Sequence, residues 1–72
     1  MKVKYSKHAR ERLRNRGILR REVEDVLMNG QRRSFQEHGT IKCVYTKKNS
    51  KLVVIYHQQK EKYLIVSAYY EN

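Results

Sequence analysis

REVEDVLMNGQRRSFQ, residues 21–36, contains the change of period that decides the fold. Up to Asn29 the apolar residues recur at helical spacing. Val23, Val26 and Leu27, with Leu19 upstream, fall on one face of a helix over Leu19–Asn29. Asn29-Gly30 closes that helix, and from Gln31 onward the period becomes two. QRRSFQ (31–36), TIKCVYT (40–46), KLVVIYH (51–57) and KYLIVSAYY (62–70) are rich in β-branched and aromatic residues. EHG, KKNS and QQKE separate them as turns. Such short separators make the strands antiparallel neighbours in a meander.

Upstream, Ser6 is a good N-cap for a helix over residues 7–16, and Gly17 suits a left-handed C-terminal position. MKVKY, with alternating apolar and basic residues, is a candidate N-terminal edge strand. The expected architecture is α+β: a helical hairpin on one face of a roughly four-stranded antiparallel sheet, in one domain spanning residues 1–72.

The apolar rows suggest which sheet face is covered. Leu64, Val66, Ala68 and Tyr70 make one pure row, and Ile41, Cys43 and Tyr45 another; both are assigned to the helix side. Lys42, Thr46, Tyr63, Ser67 and Tyr69 are assigned to the uncovered face, with Tyr56 as a further candidate. A slip of one residue would reverse the assignment.

Charge is the strongest functional signal. Seventeen Lys and Arg stand against seven acids, a formal net charge of +10. Residues 1–33 carry eleven basic and four acidic side chains, and the remainder six and three. A polyanion is the natural partner, and nucleic acid is the commonest. The longest apolar run, LVVIY at 52–56, is far below the roughly 20 residues of a membrane span. A lone cysteine and no signal-peptide pattern point to a reducing, cytoplasmic setting.

On the first helix, Ala9 and Leu13 point together into the core. His8, Arg12 and Arg16 flank them on one side, and Arg10 and Arg14 on the other. Arginine presents a planar fork of donors that matches phosphate oxygens. Arg12 or Arg16 could pair with Glu22 or Asp25, but three acids on the second helix cannot absorb every arginine. Phosphate binding by Arg10, Arg12, Arg14 and Arg16, joined by Arg32, Arg33 and Lys42, is the preferred expectation.

Metal-free RNA cleavage requires a base, an acid and cations around the phosphorane. Histidine titrates near neutrality. His8 and His57 are the candidate acid–base residues, with Tyr69 as a proton donor or stacking platform; His38, in the EHG turn, is read as a surface residue. No metal or other cofactor is expected, because the histidines and Cys43 lack ligand spacing. The alternating position of Cys43 points to burial and an inert thiol.

The pattern His8-Ala9-x-x-Arg12-Leu13-x-x-Arg16-Gly17-Ile18, followed by Glu22, Val23 and Leu27, resembles a family of short prokaryotic domains of unknown function related to RelE and BrnT toxins. The resemblance implies a microbial-RNase-like α+β domain, often a messenger-RNA endoribonuclease neutralised by a small acidic antitoxin. In that family Ser, Thr or Asp usually stands where this chain has Leu19. RelE-like enzymes often place an arginine near the last strand, whereas here no basic residue follows Lys62. The cations would then come from Arg32, Arg33 or the first helix.

The leading expectation is an RNA-directed, metal-independent endoribonuclease acting on free or ribosome-bound messenger RNA. The main alternative is a non-catalytic nucleic-acid-binding module that uses the basic helix and open-face tyrosines. A third reading is an interaction protein whose basic groove receives an acidic peptide. A homodimer is compatible with so small a core.

Overall fold

The computed structural model describes residues 2–34 and 39–71. The chain runs β1 (Lys2–Tyr5), α1 (Lys7–Arg16), α2 (Arg20–Asn29), β2 (Gln31–Ser34), β3 (Thr40–Lys47), β4 (Ser50–Gln59) and β5 (Lys62–Glu71). The five strands form one sheet in the order β1-β5-β4-β3-β2. The meander from β2 to β5 is antiparallel, as expected, but β1 pairs parallel with β5. The sheet is therefore mixed and five-stranded rather than four-stranded and antiparallel. The connection explains the direction of β1: the chain leaves it through two helices, which carry it over one face to the far edge. Phe35 and Gln36 of the expected QRRSFQ strand, and Glu37 and His38 of the EHG turn, lie outside the described residues.

Local chemistry sets both helix ends. The Ser6 hydroxyl accepts from the Ala9 N–H at 3.0 Å and opens α1. Gly17, at φ 67°, closes it, with the Ile18 N–H donating to Leu13 O at 2.9 Å. Leu19 has no side-chain acceptor, yet α2 still gains half a capping box. The Glu22 carboxylate accepts from the Leu19 N–H at 3.0 Å. Gly30 is required by close approach, since a Cβ there would lie 2.6 Å from Val26 O and 2.8 Å from Val44 O.

α1 packs chiefly on β5, and α2 on β3 and β4. The core between the layers contains Ala9, Leu13, Ile18, Val23, Val26 and Leu27 from the helical half and Cys43, Leu52, Val54, Tyr56, Ile65 and Ala68 from the sheet. The assignment of Ile41, Cys43 and Tyr45 to the helix side holds, as does that of Ala68 and Tyr70. The first part of β5 is reversed. Ile55 opposes Ser67 while Tyr56 opposes Ile65, so Val66 is an extra residue in the ladder. That bulge flips the face of every residue before it. Tyr63 and Ile65 therefore lie under the helices, and the expectation for Leu64 and Val66 is corrected with them. Tyr56, a candidate for the open face, is fully buried in the core.

Candidate nucleic-acid interface

The helix-free face is built from alternate residues of β2 to β5. The register gives the cross-sheet rows Gln31–Val44–Val53–Tyr69, Arg33–Lys42–Ile55–Ser67 and Thr46–Lys51–Glu71. Into this face opens a cleft of about 310 Å³, lined by residues that include Arg33, Lys42, Thr46, Lys51 and Glu71. Lys42 Nζ stands 3.6 Å from a Glu71 carboxylate oxygen, the one ion pair among the described residues. In the register Lys42 opposes Ile55 and Glu71 opposes Lys51, so the pair spans the sheet diagonally over Val53. The lysine stem covers apolar surface while its charge stays in the cleft. Val53 is 0% exposed although neither α1 nor α2 lies above it.

Of the sequence-predicted residues, Arg33 and Lys42 meet in this cleft, with Tyr69 on the adjoining row. Arg32 is turned to the opposite face. Its Nη2 donates to the Tyr63 hydroxyl at 3.0 Å, and its guanidinium lies 5.8 Å from the Tyr63 ring centroid. His57 shares the helix-free face with Tyr69, but in the row Thr40–His57–Leu64. Four residues along β4 separate it from Val53, the partner of Tyr69, or about 13 Å at strand rise. His8 is exposed on α1, in the helix layer, and does not join His57 and Tyr69.

The α1 arginines form a separate group. Arg10, Arg12 and Arg14 are exposed and make no ion pair with any described residue. Arg16 donates from Nη1 to Ala68 O at 2.8 Å, which ties the end of α1 to β5. Its expected pairing with Glu22 or Asp25 is not formed. Glu22 instead accepts from Leu19 N–H and from the Tyr70 hydroxyl at 2.6 Å. The bond from Tyr70 and the bond from the Leu19 backbone hold the Glu22 carboxyl below the ordinary carboxylate range. The same contact raises the Tyr70 hydroxyl.

Lys51 and Glu71 were missed by sequence reasoning, while Thr46 was placed on the uncovered face but not in the site. Their signal was present in the alternation, because each stands in phase with Lys42 or Tyr69 once the strands are paired. What the sequence could not supply was the pairing register. Cys43 is buried as expected; its Sγ donates to Val26 O at 3.1 Å, and burial pushes the thiol up. Among the described residues no group of His, Cys, Asp and Glu is gathered to hold a metal ion. No helix among them is long and apolar enough to cross a membrane.

No curated protein and no solved structure matches the chain. A family model described as a domain of unknown function, DUF4258, matches residues 5–70. That match takes in both helices and the strands from β2 to β5 as far as Tyr70, and the chain belongs to the DUF4258 family.

Proposed function

We propose that this protein is an RNA-directed endoribonuclease that works without metal, and that its substrate lies across the helix-free sheet face. One observation carries the reading: Arg33, Lys42 and Lys51 converge on a single cleft that, among the described residues, holds one carboxylate. A cleft with surplus fixed cations suits a phosphodiester, whose charge they neutralise and whose transition state they stabilise. Val44, Ile55 and Tyr69 supply apolar and aromatic surface beside it, suited to an unpaired base. The α1 arginines add a long-range field that draws the polyanion in.

The resemblance to RelE and BrnT toxins supports the same reading and adds a partner class, a small acidic antitoxin that covers the basic surface in a toxin–antitoxin pair. Binding without cleavage is the second reading. It is favoured by the position of His8 and His57, neither of which lines the cleft.

The test is to incubate the protein with single-stranded RNA and EDTA and to analyse the ends produced. Cleavage leaving 2′,3′-cyclic phosphate and 5′-hydroxyl ends, abolished by the double substitution Lys42→Ala with Lys51→Ala, is expected. Tight, salt-sensitive binding with no cleavage would favour the binding module. Binding that is insensitive to salt would remove the electrostatic site altogether.

A further inference from the structure

Six of the chain's seven acids lie in the described residues. Glu11 is on α1, Glu22, Glu24 and Asp25 are on α2, and Glu61 is in the turn before β5. Glu71 is therefore the one carboxylate carried by the strands, among the described residues, and it stands in the cationic cleft. A site built only to hold phosphate loses affinity by presenting a carboxylate to it. Glu71 has a chemical use if the phosphate is to react.

Resting on the cleavage reading above, we infer that Glu71 is the general base of this site and that Tyr69 is its proton donor. The two side chains leave β5 on the same face two residues apart, about 7 Å along the strand. That spacing leaves room for a phosphorus atom between them, as in-line displacement requires. Lys42 stands beside Glu71 at 3.6 Å, and Arg33 and Lys51 line the same cleft. His57, about 13 Å further along the sheet, does not flank the same phosphate.

The reaction balances without a co-reactant. Glu71 takes the proton of the ribose 2′-hydroxyl, and the 2′-oxygen forms a bond to phosphorus. Lys42, Lys51 and Arg33 carry the charge that builds on the phosphorane oxygens. The P–O5′ bond breaks, and O5′ takes its proton from the Tyr69 hydroxyl. The products are a 2′,3′-cyclic phosphate and a 5′-hydroxyl end. Water returns the proton from Glu71 to the Tyr69 phenolate.

The experiment compares wild type, Glu71→Gln, Glu71→Asp and Tyr69→Phe, each first shown by thermal melting to be folded. Cleavage of a single-stranded oligoribonucleotide is followed from acid to alkaline pH. Binding is measured with the same oligonucleotide carrying a 2′-deoxy sugar at the cut site. Glu71→Gln is expected to cut at least about 100-fold more slowly, to lose the acidic limb of the pH profile, and to bind the uncleavable strand as tightly as wild type or more tightly. Glu71→Asp should recover part of the rate, and Tyr69→Phe should lose the alkaline limb. Cleavage by Glu71→Gln at the wild-type rate and with the wild-type pH profile overturns the assignment and leaves the cleavage reading standing. A loss of rate matched by an equal loss of binding also overturns it, because Glu71 would then only shape the cleft. No cleavage by wild type at any pH overturns both.

Discussion

The two faces of the sheet use polar groups in opposite ways. Under the helices they tie elements together: Cys43 to the α2 backbone, Arg32 to Tyr63, and Tyr70 to Glu22. On the helix-free face Arg33, Lys42 and Lys51 share a cleft with one carboxylate among the described residues. The covered face is where burial stabilises the fold. The open face keeps charges together that folding alone has no reason to gather, since like charges in one cleft repel. Substitutions under the helices should therefore move stability, and substitutions in the cleft should move binding and chemistry.

The largest expected effect lies at the centre of the covered face. Tyr56 is fully buried, with its ring edge-on to Tyr63 at 5.1 Å between centroids. Tyr56→Ala should cost about 3–5 kcal/mol, most of the stability of so small a domain, read as a collapse of the denaturant midpoint. Among the described residues the Tyr56 hydroxyl makes no hydrogen bond, and the nearby Arg32 is directed at the Tyr63 hydroxyl instead. Tyr56→Phe should thus leave the midpoint unchanged or raise it, and a clear loss would reveal a bond to that hydroxyl.

Gly30→Ala comes next. It drives a methyl group into two backbone carbonyls where α2 hands over to β2, and about 1–3 kcal/mol of destabilisation is expected. A neutral result would show that the crossing from α2 to β2 yields to a methyl group.

The smallest effect is at the rim. Tyr70→Phe removes a hydrogen bond between exposed partners, so its cost should stay below about 1 kcal/mol, a few degrees in Tm at most. The folded-state pKa of Glu22 lies below the ordinary carboxylate value. Its contribution is therefore present above that value and is lost as pH falls through the folded pKa. The melting difference between wild type and Tyr70→Phe should be full at neutral pH and vanish in acid. A difference that grows in acid would contradict the Glu22 contact.

Much of this was legible in the sequence where the chemistry is local. Ser6, Gly17 and the change of period after Gly30 set the helices and the meander, because caps and periodicity act within a few residues. The cleft was only half legible. Arg33 and Lys42 stand out by charge, but Lys51 and Glu71 join them only through pairing across three strands. The faces of Tyr63, Leu64 and Val66 were misread for one reason: the extra residue at Val66 breaks a period-two pattern that looks uninterrupted in the sequence. The direction of β1 also depends on the long helical crossover, which no local pattern encodes.

The most direct measurement is the salt dependence of RNA binding in two charge-matched variants. Lys42→Ala with Lys51→Ala removes two cations from the cleft, and Arg10→Ala with Arg14→Ala removes two from α1. If the helix-free face holds the phosphodiester, the cleft variant should lose at least about tenfold in affinity, and the magnitude of its slope of log K against log salt should fall by about 1.4, while the α1 variant keeps nearly the wild-type slope. The opposite pattern, an unchanged slope in the cleft variant and a reduced one in the α1 variant, would contradict the account.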